Sequence, residues 1–180
     1  AADAAWAWGA GRRMDVGGCV AIDLGCGAGG WSVGAGLAAL DVLGGVEGCP
    51  TAVAAYAANH PGHQTLVADL TDVEHVVRVL RGWMRRWGRG RRLVLLASPP
   101  CQPFSPAGYG QEDGRAWVSM ACVVVMIELH VPTIVIENVP RFLRSKTWPV
   151  VKRLLEDAGY AVTTATLNAY DCGCPQTRTR

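Results

Sequence analysis

Short apolar runs alternate with helix-like patterns along most of this chain, and that alternation limits the fold more than any other feature. It is typical of an α/β protein in which a mostly parallel sheet carries helices on both faces. Strands are predicted at 19–24, 42–47, 65–70, 92–98, 133–139 and 161–169. Helices are predicted at 31–40, 51–59, 71–87, 116–130 and 148–160, with Thr71 as the cap of the third.

The composition indicates one domain. A chain of 180 residues that is 50% hydrophobic can bury a single core, and we assign 19–180 to the domain and 1–18 to a poorly patterned lead-in. We find no apolar run long enough to span a membrane and no signal peptide. Seven irregularly spaced cysteines favour a reducing, intracellular setting, and no Cys and His pattern predicts a metal site.

A glycine-rich segment, "DLGCGAGG", follows the first predicted strand. Gly25, Gly27 and Gly29 let the backbone pass close to a ligand, and the next helix offers its positive amino terminus. Glu47 ends the second strand, where it can accept ribose hydroxyls, and Asp69 ends the third, where it can hold an adenine amino group. These residues favour an adenosine-containing cofactor, and they leave a dinucleotide and S-adenosylmethionine both open.

Three further segments place reactive side chains at strand ends. "SPPCQPF" puts Cys101 after two stiffening prolines, near the glycine loop if the strand order is 3-2-1-4-5. "IVIENVP" puts Glu137 after an apolar run, where a carboxylate is costly unless it is paired or protonated. "PQTRTR" puts Arg178 and Arg180 on one side of an extended segment. Each has a structural alternative: a rigid turn, a capping carboxylate and a solvated tail.

Taken in order, "DLGCGAGGWS", "SPPCQPFSPAG", "IENVPRFL" and "NAYDCGCPQTRTR" resemble the motifs of the cytosine-5 DNA methyltransferases. The resemblance runs from about Val20 to Arg180. It implies a Rossmann-like S-adenosylmethionine-dependent methyltransferase fold, with S-adenosylmethionine as methyl donor and a cytosine flipped out of DNA as acceptor. The implied activity is methyl transfer to carbon 5 of cytosine through a covalent cysteine adduct.

The resemblance also implies roles for individual residues. Cys101 would attack carbon 6 of the ring, Glu137 would bind ring nitrogen N3 and the exocyclic amine, and Arg180 would hold the O2 carbonyl. In the same catalytic set, Arg178 and Asn138 would support the Cys101 loop, and Gln176 would order its own loop. The implied cofactor-binding set is Asp23, Gly25, Gly27, Gly29, Glu47, Asp69, Pro100 and Val118.

Departures from the family pattern leave two alternatives open. Gly25 stands where the family usually has Phe, and the chain stops at Arg180, before a target-recognition region and a last motif. We therefore expect an incomplete catalytic domain that is weak or inactive alone and needs that region in cis or in trans. The alternatives are a transfer-RNA cytosine-5 methyltransferase and a non-catalytic remnant that binds cofactor or nucleic acid. The expected location is intracellular: nuclear in a eukaryote, cytoplasmic or nucleoid-associated in a bacterium.

An arginine cluster stands apart from these motifs. Seven of the seventeen basic residues lie between Arg78 and Arg92, just before the fourth predicted strand. That position puts the cluster at the opposite edge of the sheet from Cys101. We interpret it as a solvated face, with non-specific attraction to phosphate as the alternative.

Overall fold

The computed structural model describes residues 18–104 and 114–180, so all of the predicted lead-in except Gly18 lies outside the described residues. Five parallel strands form one sheet in the order β3-β2-β1-β4-β5, which is the order that the predicted placement of Cys101 near the glycine loop requires. The strands are β1 (Cys19–Leu24), β2 (Asp41–Glu47), β3 (Gln64–Val67), β4 (Arg92–Ala97) and β5 (Thr133–Ile136). The helices are α1 (Gly30–Leu37), α2 (Pro50–Asn59), α3 (Val73–Trp87), α4 (Trp117–Glu128) and α5 (Thr147–Asp157).

Helices cover both faces of the sheet, and the side chains of the central strand β1 alternate between them. Val20, Ile22 and Leu24 are fully buried in the large core that the apolar faces of α3, α4 and α5 complete. Ala21 points to the other face, where it packs in a small cluster with Ala35 of α1. Because β1 and β4 are buried on both faces, they read as continuous apolar runs in the sequence.

Several predicted boundaries differ from the structure for local reasons. α3 is capped by Asp72, whose carboxylate accepts from the backbone N–H of His75 at 3.2 Å, so the prediction of Thr71 as the cap is wrong. Thr71 instead donates its N–H and its hydroxyl to Asp69, at 2.8 Å each. Strands β3 and β5 end earlier than predicted, at Val67 and Ile136, so Asp69 and Glu137 lie in the loops that follow them.

The sixth strand predicted at 161–169 is wrong. Residues 161–167 are not in the sheet, and most of them are exposed. Only the end of this segment pairs, when Leu167 and Arg180 exchange backbone hydrogen bonds of 2.7 and 2.8 Å around an antiparallel bridge between Asn168 and Thr179. Its alternating residues suit a strand, but a strand also needs a neighbouring edge, and the described part of the chain gives it only residues 178–180.

None of the helices in the described ranges is long and apolar enough to cross a membrane.

Candidate active site at the carboxyl edge of the sheet

The glycine loop, residues 25–29, lies across the end of β2. The N–H groups of Gly25 and Cys26 both donate to the carbonyl of Val46, at 2.8 and 3.1 Å. Glu47 then accepts from the N–H of Gly27 at 3.2 Å and from the N–H of Cys49 at 3.0 Å. One half-buried carboxylate therefore ties the loop to the start of α2.

The glycine loop also contacts the loop that carries Cys101. Gly25 has φ +70°, and a Cβ at this position would lie 2.6 Å from the carbonyl oxygen of Ser98. The N–H of Ser98 donates to the carbonyl of Leu24 at 2.9 Å, so the two loops begin as paired neighbours. Only glycine fits this crossing, because a side chain would meet a backbone atom that has little room to move.

Two side chains from the end of α2 hold the other end of the glycine loop. Asn59 donates from Nδ2 to the carbonyl of Ala28 at 2.9 Å, and Nε2 of His60 lies 3.2 Å from the carbonyl oxygen of Gly29. Our sequence analysis missed both residues. The available signal was a pair of polar side chains ending an otherwise apolar helix.

Asp23 is fully buried at the end of β1, directly before the glycine loop. The Ser32 hydroxyl donates to its Oδ2 at 2.8 Å, while Oδ1 has no hydrogen-bond partner among the described residues. Burial raises the pKa of Asp23 to about 6, although the Ser32 hydrogen bonds and the His60 charge oppose that rise. A buried carboxyl with a raised pKa is typical of functional sites.

Glu137 is the point on which the carboxyl-terminal arginines converge. Its Oε1 lies 2.7 Å from Nε of Arg180 and 3.7 Å from Nη2 of Arg178. The backbone N–H of Glu137 donates to Ala97 at 2.9 Å, so this residue continues the pairing of β5 with β4. Two cations thus meet one carboxylate whose side chain is 26% exposed. The sequence predicts that the side chains of Arg178 and Arg180 lie on the same side of their segment. In the structure, both side chains face Glu137.

Cys101 is half-buried and lies three residues beyond Ser98, at the start of a short 3-10 turn, 102–104. The turn ends at buried Phe104, whose ring packs edge-on against Phe142 with centroids 4.9 Å apart. Phe142 belongs to the 3-10 segment 140–144 that follows Glu137 and Asn138. This aromatic contact joins the Cys101 loop to the Glu137 loop.

Asn138 is buried beside Glu137, and it is partly unsatisfied. Its Oδ1 accepts from the N–H of Val139 at 2.8 Å. Its Nδ2 has no hydrogen-bond partner within residues 18–104 and 114–180. A buried donor without a partner is costly, so this amide is available to a ligand or a neighbouring loop.

A cleft of about 400 Å³ joins the glycine loop to Glu137. Its lining includes Gly25, Ser98, Glu137 and Arg178, with Trp31 of α1 on one side. Cys101 is not part of this lining, although its loop starts at Ser98. The cleft therefore brings together two of the predicted groups, the glycine loop and the Glu137–Arg178 pair, whereas Cys101 lies three residues beyond the lining residue Ser98.

The remaining predicted residues lie farther out or make other contacts. Asp69 is exposed, and its hydrogen bonds from Thr71 hold the pKa of Asp69 below its usual value. Val118 is half-buried against the large core, and Pro100 is half-buried in the Cys101 loop. Gln176 is exposed, and its backbone N–H donates to Cys174 at 2.6 Å. Among the described residues, no three His, Cys, Asp or Glu side chains are grouped to hold a metal ion.

A parallel α/β sheet with a glycine loop after β1 and a cysteine loop after β4 is the arrangement of a Rossmann-like methyltransferase. The family model for C-5 cytosine-specific DNA methylases matches residues 20–180, and the chain belongs to that family.

Known proteins of this kind are similar over most of the chain. Type II methyltransferase M1.HphI of Haemophilus parahaemolyticus is 36% identical over 166 residues, which are 88% of this chain and 43% of the relative. Type II methyltransferase M.HgiDI of Herpetosiphon aurantiacus is 30% identical over 162 residues, 88% of this chain and 49% of the relative. The crystal structure of a DNA modification methyltransferase encoded within an E. coli prophage has a TM-score of 0.72 at 25% identity, covering 89% of this chain and 44% of that one. The chain thus spans about half the length of these relatives.

Proposed function

We propose that this chain is the catalytic portion of an enzyme that transfers a methyl group from S-adenosylmethionine to carbon 5 of cytosine in DNA. The observation that carries the proposal is the pairing of Glu137 with Arg178 and Arg180, because Glu137 and Arg178 line the same cleft as the glycine loop. These groups come from three distant parts of the chain. Family membership and the similarity to type II methyltransferases support this reaction class.

In this proposal Cys101 is the nucleophile. Its thiolate forms a bond to carbon 6 of the ring, which moves an electron pair toward carbon 5 and makes that carbon nucleophilic. After carbon 5 is methylated, it loses its proton to a base, and elimination of the thiolate restores the ring and frees Cys101. The cytosine must be flipped out of the duplex before the attack, because stacking covers the ring face that a thiolate attacks.

Glu137 and the two arginines would bind and polarise the ring. Glu137 would contact N3 and the exocyclic amine, and Arg180 would hold the O2 carbonyl, where negative charge develops during attack. Arg178, paired with the same carboxylate, would keep Glu137 oriented. Asn138 would hold the Cys101 loop through its buried Nδ2, and Gln176 would order the segment that precedes the arginines.

The residues around the glycine loop fit the cofactor. At Gly25 the loop passes the Ser98 carbonyl with no space for a Cβ, and the cleft beside it has about 400 Å³. Residues that would hold the cofactor are Asp23, Gly25, Gly27, Gly29, Glu47, Asp69, Pro100 and Val118. When bound, S-adenosylmethionine supplies an electrophilic methyl group on a sulfonium. Glu47 keeps free lone pairs for hydroxyl donors, because each of its oxygens accepts one backbone N–H.

The proposed partners are DNA and a target-recognition region that acts in cis or in trans. Methylation of the cell's own DNA requires the enzyme and S-adenosylmethionine in the same compartment as that DNA, so an intracellular location is part of the proposal.

Trapping on a modified base tests the reaction. The natural polypeptide that carries these residues is incubated with S-adenosylmethionine and matched DNA or RNA oligonucleotides that contain 5-fluorocytosine, in which elimination is blocked. We expect a covalent DNA adduct that Cys101→Ser abolishes. Cys19→Ser is the matched control because Cys19 is half-buried like Cys101 but begins β1, at the opposite edge of the sheet, and it should form the adduct normally.

The other outcomes separate the alternatives. An adduct with RNA alone would move the assignment to a transfer-RNA methyltransferase. No adduct with either nucleic acid, from a protein that binds the cofactor, would move it to a non-catalytic binding protein. An adduct that survives in Cys101→Ser would remove Cys101 from the mechanism.

A further inference from the structure

A chain of hydrogen bonds runs from the buried end of β1 toward the protein surface. The Ser32 hydroxyl donates to Asp23 Oδ2 at 2.8 Å, Ser32 Oγ lies 2.9 Å from the Tyr56 hydroxyl, and that hydroxyl lies 3.1 Å from Nδ1 of His63. Asp23 and Tyr56 are fully buried, and His63 is half-buried. Ser32, Tyr56 and His63 have no part in the proposed reaction, so the chain requires its own explanation.

The charge on Asp23 fixes the direction of every bond in this chain. An ionised carboxylate can only accept, so Ser32 must donate to it, Tyr56 must donate to Ser32, and the Nδ1–H of His63 must donate to Tyr56. When Asp23 takes up a proton it can donate instead, and each bond can reverse. The tautomer of His63 is therefore tied to the protonation state of a buried carboxyl group.

Other charged and titratable groups also face Asp23 and His63. Burial favours the neutral form of Asp23, and the charge of Glu47 acts in the same direction. His60 and the hydrogen bonds from Ser32 act in the opposite direction. Cys26 also couples to Asp23, and burial raises the pKa of its thiol to about 12, so it stays neutral. His63 stacks on His60 with ring centroids 5.0 Å apart, and burial and the His60 charge lower the pKa of His63.

We propose that Ser32, Tyr56 and His63 are positioning residues that keep Asp23 ionised beside the glycine loop, so that the protein prefers the cationic methyl donor to its uncharged product. The inference rests on the proposed function, because S-adenosylmethionine carries a sulfonium charge that S-adenosylhomocysteine lacks. An anionic carboxylate in a buried position favours the cation, since little solvent screens the interaction. The preference should weaken as acid protonates Asp23.

The test compares binding of the donor and of the product from pH 5 to pH 8, each measured by calorimetry. In the wild type, the ratio of donor affinity to product affinity should fall as the pH is lowered. Ser32→Ala should move the midpoint of that fall to higher pH by about half a unit or more, which lowers the ratio by roughly twofold near the original midpoint. Tyr56→Phe and His63→Gln should move it in the same direction by smaller amounts. Tyr160→Phe is the matched control because Tyr160 is half-buried elsewhere, and it should leave the midpoint unchanged.

A second readout does not depend on the cofactor. In the cofactor-free protein, the carboxyl carbon of Asp23 is titrated by NMR, and its midpoint should rise in the same graded order. A variant that weakens donor and product equally at every pH, with an unmoved Asp23 titration, has lost packing alone and overturns the inference. A wild type that binds neither donor nor product would defeat the proposed cofactor, whereas the NMR titration would still decide whether the hydrogen-bond chain controls Asp23.

Discussion

The two edges of the sheet carry clefts of nearly equal size, and both contain arginine, yet their surroundings differ. The cleft at the carboxyl edge has about 400 Å³, and the one at the amino edge has about 410 Å³ and is lined by Arg81, Arg85, Arg91 and Arg92. At the amino edge Arg91 pairs with Asp41, whose side chain is 74% exposed, and Arg81 donates to the carbonyl of Glu128 at the end of α4. These are the contacts that cations usually make with exposed acids and helix ends.

The carboxyl edge instead contains several features that weaken the fold. Such features usually persist only where a function requires them. Among the residues that the structure describes, one oxygen of buried Asp23 and the buried Nδ2 of Asn138 have no hydrogen-bond partner, and Gly25 occupies a crossing that excludes a side chain. Glu137 holds two arginines that come from another part of the chain. Cavity volume and arginine content are therefore poor guides to the site in this protein, and the concentration of locally unfavourable groups is the better one.

Replacing one carboxylate at each edge by its amide should give the largest contrast between the edges, and the contrast is in the rate of methyl transfer. Glu137→Gln should lower methyl transfer by about 100-fold or more at saturating cofactor, since the amide cannot share a proton with the ring in the same way. Cofactor affinity, measured by calorimetry, should stay within about twofold of the wild type, an effect well below 1 kcal/mol. Glu128→Gln is the control, because Glu128 lies 4.0 Å from Arg81 in a similar but exposed pair. Equal losses in the two variants would mean that the edges do not differ in function.

The second-largest difference between the edges should be in how their carboxylates make stability depend on pH. The pKa of Asp23 in the fold, about 6, lies above its ordinary value of 3.8, so the folded protein binds this proton more tightly than the unfolded chain. The contribution of Asp23 to stability is then greatest below pH 3.8 and is lost as the pH rises to about 6. At neutral pH the loss is on the order of 3 kcal/mol. Asp23→Asn removes that dependence, so its stability relative to the wild type should increase through this window and level off above it.

Urea unfolding of the cofactor-free protein at several pH values measures this difference. Asp41→Asn at the amino edge is the comparison, and it should change the free energy of unfolding by less than about 1 kcal/mol, because it removes only an exposed ion pair. A flat difference between Asp23→Asn and the wild type would contradict the raised pKa.

How far the sequence predicts the site depends on which contacts are local. The alternation of strands and helices and the position of Glu137 after β5 follow from apolar runs and from the general rules for parallel sheets. The convergence of Arg178 and Arg180 on Glu137 does not, because it requires the chain end to fold back and pair with 167–169 in place of the predicted sixth strand. A contact between two segments that are far apart in the sequence cannot be predicted from the residue spacing within either segment.

The support beneath the glycine loop was missed for a related reason. Tyr56 lies in α2 and His60 directly follows that helix, four residues later, so their spacing would fit an ordinary packed face. Their function becomes visible only when the fold sets Tyr56 against Ser32 and sets His60 against Gly29. In contrast, Asp72 could have been identified as the cap of α3, since Asp is as good a cap as Thr and lies one residue nearer the helix.

Two glycines with similar backbone angles provide a smaller but cleaner contrast. Gly25 has φ +70° and Gly90, near the amino edge, has φ +75°, but an added Cβ at Gly90 meets nothing within 4 Å. Gly90→Ala should therefore cost about 1 kcal/mol from the left-handed backbone alone. Gly25→Ala adds the clash with Ser98 and should cost roughly 2 kcal/mol more, with weaker cofactor binding. Chemical denaturation of both variants measures the difference, and equal costs would show that the crossing of the two loops is not tight.

The smallest effects should come from the arginines at the amino edge that have no acidic partner. Arg85 and Arg92 line the cleft there, and neither has an ion-pair partner in the described part of the chain. Arg85→Gln with Arg92→Gln should change the free energy of unfolding by no more than about 0.5 kcal/mol and leave methyl transfer unchanged. If this edge is a solvated face, the salt dependence of DNA affinity also stays the same. The slope of log DNA affinity against log salt concentration could instead fall in magnitude by about 0.9 for each arginine removed. That result would mean that both arginines contact phosphate and that the amino edge is a second DNA-binding surface.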